Sequence, residues 1–365
     1  MTDVLIVGAG PAGSSLAIRL ARQGRSVLLL DRAGFPREKV CGEGVMPAGV
    51  AALEELGIRL NGAPFDGVSY HSGDRAVPGR FENSHGLGIR RWHLDATLFA
   101  QASAEPGVRV LTGRAVQQVL YQDDRVVGAI SDGETFRAHL TVAADGANSV
   151  LRHALGWDAA RPSRRFALRQ HFAVAREVPR FVHIFLRPHG EVYVTPLPGQ
   201  EVSVALLAET GSRESLSETI AAIPALGGIL KGARAITQVQ GAAPLTVRAT
   251  RRTRAGIVLL GDAAGNCDPI TGGGVSQALL SARMFARYVA EEFPPSAECL
   301  ARFDVERERM LRDYRRLTSV VLALARHPGL QPVTLAVLDR MPALFTHLLG
   351  VAGGRHSLLG SRLTV

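Results

Sequence analysis

Strand, glycine turn, helix and second strand follow one another at the start of the chain, and nothing else in it constrains the fold as tightly. DVLIVGAG is a nearly continuous apolar run, as expected of a parallel strand covered on both faces. PAGSSLAIRLARQG carries Leu16, Ala17, Leu20 and Ala21 on one helical face and stops at Gly24. RSVLLLD then ends on Asp31. Gly8-x-Gly10-x-x-Gly13 lies at the turn: Gly8 permits its tightness, Gly10 lets the backbone approach a pyrophosphate, and Gly13 allows close helix packing. The helix N-terminus, with Ala12 in its first turn, faces the phosphates, while Asp31, followed by Arg32, offers a carboxylate to a ribose. The unit is read as the seat of a dinucleotide, FAD or NAD.

The chain has 365 residues, enough for a substantial core in one large or two merged domains. Its three cysteines, Cys41, Cys267 and Cys299, form no CxxC pair, and its histidines lack HExxH or three-ligand spacing, so neither a disulfide framework nor a metal site is expected. No charged leader precedes an apolar run, and no apolar stretch nears the roughly 20 residues of a membrane span. A cytoplasmic protein is therefore expected. The net charge of +9 is carried mostly by scattered arginines without base-stacking aromatics, which argues against a nucleic-acid partner.

Further along, a helix near Pro47–Leu56, another at Leu94–Ala104, the strand VRVLTG and a meander through Val116–Ile130 lead back to the apolar strand LTVAADG. Residues 165–247 alternate in the antiparallel manner, as in FVHIFLRP, EVYVTPLP and EVSVALLAE. The strand GIVLLGDAA returns to the nucleotide domain, and a long helix starts near Gly274. The expected class is α/β: a Rossmann-type, glutathione reductase-like domain (1–70, 89–160 and 250–295) interwoven with an antiparallel substrate sheet (71–88 and 161–249). A C-terminal helical region (296–365) reads as a helix pair packed on the body, with peripheral membrane contact through an amphipathic face as the alternative.

The motif Gly261-Asp262-Ala263-Ala264, followed by Asp268-Pro269-Ile270-Thr271-Gly272-Gly273-Gly274, decides between the dinucleotides. An aspartate at a strand end can hold a ribityl hydroxyl, and a glycine run opening a helix can face pyrophosphate or the electron-rich edge of a flavin. With the opening fingerprint, Arg91-x-x-Leu94-Asp95 and Ala144-Asp145-Gly146-Ala147-Asn148-Ser149, this segment resembles, in order, the p-hydroxybenzoate hydroxylase-like flavoprotein superfamily over roughly residues 3–290. Lys39-Val40-Cys41-Gly42-Glu43-Gly44 is similar to the geranylgeranyl reductase branch. The resemblance implies FAD, with Gly8, Gly10, Gly13 and Asp31 on its adenosine half. Arg91 would lie along the cofactor, Asp262 on the ribityl chain, and Gly273 and Gly274 near the isoalloxazine. Asp145 would touch the flavin and pyridine-nucleotide region, and the Cys41-Gly42 loop would come close to the ring.

A single fingerprint means that NAD(P)H binds transiently or that an external reductase supplies electrons. The only tryptophans, Trp92 and Trp157, lie outside the Trp-x-Trp-x-Ile-Pro setting of flavin halogenases. The strand Val192–Pro198 keeps Tyr193 but places Thr195 and Leu197 where prenyl reductases carry Trp and Phe. The leading expectation is hydroxylation or epoxidation of a small lipophilic or aromatic secondary metabolite through a flavin C4a-hydroperoxide formed from NAD(P)H and O2, in a pocket that excludes water. The alternative is reduction or dehydrogenation of an unsaturated prenyl or polyketide-like substrate, and a minor one is a non-catalytic FAD-binding protein. Cys41 and Tyr193 are the candidate catalytic side chains. His171, His183 and Thr195 are candidate orienting groups, with Cys267 and Cys299 structural.

Overall fold

The computed structural model describes residues 1–160, 163–211 and 214–360. The first strand, Thr2–Val7, lies inside an eight-stranded sheet whose main path is Thr253–Arg254, Ile257–Leu259, Glu134–Ala143, Thr2–Val7, Val27–Asp31, Val108–Thr112, with Arg125–Ser131 paired to Glu134–Ala143 and Val116–Gln122 to Arg125–Ser131. Val4 pairs with Leu140 on one side and Val27 on the other, both in parallel register. Successive residues of these strands feed opposite cores, as a period of two requires. Val4, Ile6, Leu29, Val142 and Val258 pack with the helices Pro11–Arg22 and Gly274–Glu291. Leu5, Val7, Leu28, Leu30 and Leu259 pack beneath the antiparallel meander, against Val126, Phe136 and Trp157. This is the Rossmann-type α/β domain.

The second sheet runs Arg234–Ala235, Arg165–Ala173, Glu201–Glu209, Gly190–Leu197, Phe181–Arg187, Gly67–Ser72, Arg75–Arg80, with Gln240–Ala242 beside Arg165–Ala173. Its pairings are antiparallel except Phe181–Arg187 with Gly67–Ser72, which run parallel, so the sheet begins at Gly67. Alternation again sets the faces. Val192, Val194, Val202, Val204 and Leu206 point to the short helices that carry Leu216 and Leu226, whereas Ile184, Tyr193 and Leu207 point to the C-terminal helices.

Among the described residues after 296 there are three α-helices where the sequence suggests a pair: Ala297–Ala325, Gln331–Arg340 and Pro342–Ala352. Pro328 and Gly329 stop the first, and Pro342 separates the other two, because proline cannot supply the helical N–H. Phe345 and Leu349 pack under the second sheet. Among the described residues no single helix is long and apolar enough to cross a membrane.

Candidate functional site

The glycine turn is tighter than a phosphate site alone requires. Gly8 has φ +104, and a methyl group there would stand 2.4 Å from the Ala144 carbonyl oxygen. One on Gly13 would stand 1.8 Å from the Gly8 carbonyl oxygen. Both positions are closed by the protein's own backbone. Gly10 is different: its only neighbour there is an Arg37 guanidinium nitrogen at 3.5 Å. The helix that follows has no side-chain cap and no acid in its first turn, so its N-terminal amides face an open space with a cation beside it, which fits a pyrophosphate. Ala12 packs this end against the second motif, where a methyl on Gly261 would stand 2.9 Å from its Cβ.

Asp31 is buried and holds the turn itself, accepting the Ala9 N–H at 2.7 Å and the Ala33 N–H at 2.8 Å. Each oxygen keeps a lone pair for a ribose hydroxyl. Arg32 is exposed beside it. Arg37, near Gly10, reaches Asp95 at 3.3 Å and lies over the Phe35 ring.

The second motif meets the first across this space. Asp262 sits in a short 3-10 turn, Gly261–Ala264, with its carboxylate 3.6 Å from Lys39 Nζ. Asp145, next to the Gly8 turn, accepts the Val150 N–H at 2.8 Å through Oδ2, while Oδ1 is buried without a partner; burial pushes this carboxyl up. Gly273 and Gly274, paired in the sequence reading, have different surroundings. The Gly273 N–H donates to Tyr314 Oη at 3.0 Å, and a methyl on Gly273 would stand 2.6 Å from that oxygen. Gly274 faces open space at the uncapped start of the helix Gly274–Glu291. One turn on, the buried Gln277 Oε1 has no partner and lines the same cavity. An open glycine, an uncapped helix end and an orphaned amide oxygen fit the polar edge of a flavin.

The Cys41 loop closes the site. Cys41 is half-buried, lines the cavity and accepts the Glu43 N–H at 3.3 Å through Sγ. Its cationic neighbour is Arg91. Burial lowers the affinity of Arg91 for its proton, but Asp95 and the Cys41 sulfur outweigh this and hold the guanidinium well above its ordinary value. Arg91 grips Asp95 with two bonds, at 2.8 and 2.7 Å. Gly42 faces open space. Glu43, missed by the sequence reading, is the anchor: it has φ +62, is buried, accepts the Arg91 N–H at 3.0 Å and pairs with His171 Nε2 at 2.6 Å. His171 in turn contacts Arg169, which reaches Glu38 at 2.7 Å. The loop is thereby pinned to the second sheet.

Between loop, sheet and C-terminal helices lies a cavity of about 520 Å³. Asp262, Cys41 and Gly274 stand on its wall, and Ile184, Leu207, Leu317, Leu335, Leu338 and Phe345 carry it away between sheet and helices. Of the four sheet residues singled out from sequence, Tyr193 and Thr195 line it; His171 serves Glu43, and His183 pairs with His71 at 3.0 Å. The Tyr193 hydroxyl donates to the Ile270 carbonyl at 2.7 Å, holding the loop before Gly272. Below it Arg165 binds Glu191 at 2.6 Å and Asp268 more closely, tying the sheet to that same loop. Among the described residues no cluster of three or more His, Cys, Asp or Glu is arranged for a metal.

A family model described as FAD binding domain matches residues 1–314. The chain belongs to this FAD-binding family. It is an FAD-dependent oxidoreductase. This FAD-binding protein is 30% identical over 315 residues to menaquinone reductase of Mycobacterium tuberculosis, covering 78% of this chain and 75% of the relative. To digeranylgeranylglycerophospholipid reductase 1 of Methanopyrus kandleri it is 32% identical over 340 residues (85% and 87%), and to squalene monooxygenase of Mus musculus 27% over 359 residues (89% and 61%). The geranylgeranyl bacteriochlorophyll reductase-like protein of Thermoplasma acidophilum shares its fold at TM-score 0.80 and 22% identity, covering 96% of this chain and 95% of that one. The flavin-dependent brominase Bmp2 does so at 0.84 and 20%, covering 97% and 93%.

Proposed function

We propose that this FAD-binding protein oxygenates, by hydroxylation or epoxidation, an elongated apolar metabolite of isoprenoid or polyketide type, drawing electrons from NAD(P)H. The cavity carries the reading. Its volume falls in the ~300–1,000 Å³ range of ligand sites, and it runs from the flavin cradle between apolar walls of the sheet and the C-terminal helices. Relatives named for menaquinone, geranylgeranyl lipid and squalene chemistry support the substrate class.

In this assignment Gly8, Gly10, Ala12 and Gly13 hold the pyrophosphate with Arg37, Asp31 and Arg32 take the ribose, and Asp262 the ribityl chain. Gly274 and Gln277 face the ring, Gly273 holds its loop through Tyr314, and Asp145 borders the approach of the nicotinamide donor. FAD supplies the two-electron redox chemistry. The protein's own part is to orient the chain and exclude water.

Oxygen transfer to an electron-rich double bond requires no acid from the wall, and the wall offers few. Glu43 uses both carboxylate oxygens, and the hydroxyls of Tyr193 and Tyr314 are hydrogen-bonded. Cys41 and Tyr70 are the exceptions; burial pushes the Tyr70 phenol up, and Cys41 favours a second reading. Beside Arg91 on the cavity wall, its thiol is placed to protonate a double bond that has received a hydride, which is what a reductase needs.

The two readings separate by product. With NADPH and squalene, geranylgeraniol or menaquinone under air, oxygenation adds one oxygen atom, and activity stops without oxygen but survives Cys41→Ala. Reduction adds two hydrogens, proceeds anaerobically and falls roughly 100-fold in Cys41→Ala.

A further inference from the structure

The helices that wall the cavity are apolar on both sides. Inward, Leu317, Leu324, Leu335 and Leu338 line it. Outward, Leu330, Val333, Val337 and Met341 are 50%, 62%, 43% and 51% exposed, while Val320, 55% exposed, also lines the cavity. Large side chains this exposed are otherwise scattered over the described surface, at positions such as Trp92, Tyr121, Val150 and Val239. Scattered residues need no explanation, but a cluster does.

Its shape is that of an elbow. Ala297–Ala325 and Pro328–Arg340 meet at 100°, so Leu330 stands near the corner. Val333 and Val337 fall on one face of the second arm, four residues apart, with Met341 continuing the row. On the first arm Arg309, Arg312 and Arg316 are exposed and share a face with Val320, at spacings of three and four. Arg340 ends the second arm. Neither Arg309 nor Arg340 has a carboxylate partner among the described residues. Asp313 pairs with Arg312 and Arg316 at 3.9 and 3.6 Å, and Asp339 is exposed beside Arg340, so four arginines against two carboxylates leave a surplus of positive charge beside the apolar corner. On a chain of net charge +9, that is the charge order that suits an acidic membrane surface: apolar groups at the acyl boundary, guanidiniums among the phosphates.

We infer that this elbow docks on an anionic bilayer and that the cavity takes its substrate directly from the lipid phase, between the two arms. The loading step rests on the apolar-substrate reading above, whereas the docking step does not. A second copy of this face would set arginines against arginines, whereas anionic headgroups neutralise them, which favours lipid over self-association.

The test uses the full chain loaded with FAD, sedimented with vesicles of phosphatidylcholine alone or of phosphatidylcholine with phosphatidylglycerol, without substrate. Binding to the anionic vesicles is expected to be about tenfold tighter, and to weaken about tenfold in the Val333→Asp, Val337→Asp double variant. Both sites are exposed, and an unchanged flavin spectrum verifies folding. In a second variant, Arg309→Gln, Arg312→Gln, Arg316→Gln, the preference for anionic vesicles should disappear. Docking is overturned if the wild type ignores anionic vesicles, if the aspartate variant binds as well, or if the wild type is a concentration-dependent dimer that the aspartates dissolve. Docking without turnover of any lipid would leave the inference standing and remove the substrate reading instead.

Discussion

Replacing Glu191 by glutamine should make the fold more tolerant of alkaline pH, although the change removes half of a buried ion pair. Glu191 and Asp268 share one guanidinium, that of Arg165, and all three side chains are buried. Two anions against one cation leave a surplus charge, and burial pushes the Glu191 carboxyl up to about 7 from 4.5. The folded state therefore keeps a proton that the unfolded chain releases. The stability this group contributes is complete below about pH 4.5 and is lost as pH rises through about 7. A difference of 7 − 4.5 corresponds to about 3 kcal/mol at ~1.4 kcal/mol per pH unit. Glutamine keeps the volume without titrating, and Arg165 retains Asp268. Urea unfolding at about pH 5 and about pH 8.5 should show the wild type losing roughly 2–3 kcal/mol more than Glu191→Gln. Parallel losses, or a wild type that gains on the variant as pH rises, would refute the reasoning.

The glycine turn and the Tyr314 hydroxyl give further tests. Gly13→Ala drives a methyl into the Gly8 carbonyl, so the purified variant should contain no FAD; Gly10→Ala meets only Arg37, and should fold while binding FAD about tenfold more weakly by flavin fluorescence. Tyr314→Phe leaves the Gly273 N–H and a Thr271 hydroxyl contact unmade. It should cost about 1–3 kcal/mol in urea unfolding while leaving FAD stoichiometry intact.

What the sequence makes legible is local or short in range. Strand, turn and helix around Gly8–Gly13 share one stretch, and period-two apolar runs identify the strands before their order is known. The Asp31 interaction with Ala9 spans 22 residues inside one βαβ unit, yet the alphabet of the motif does not say that the acid holds the turn. The Cys41 loop is the opposite case. Its anchor, the pair of Glu43 and His171, joins a loop residue to one on the second sheet 128 positions away, and only the tertiary fold brings them together. Arg91 has a partner that the motif does not assign: Asp95, four residues on, takes its guanidinium. Tyr193 reads as a candidate catalyst because its strand faces the pocket, but the Ile270 carbonyl that occupies its hydroxyl is 77 residues away. Tyr314 lies beyond the motifs altogether, in a helix whose burial pattern the third dimension decides.

The account stands on the cavity taking a long apolar chain beside the flavin. Titrating the FAD-loaded protein with geranylgeraniol while following flavin fluorescence tests this directly. A saturable change is expected, abolished in Leu338→Trp, which fills the apolar arm, and preserved in the Val333→Asp, Val337→Asp variant, which alters only the outer face. No change with the isoprenoid, together with a saturable change from a short polar ligand such as p-hydroxybenzoate that Leu338→Trp leaves intact, would contradict it.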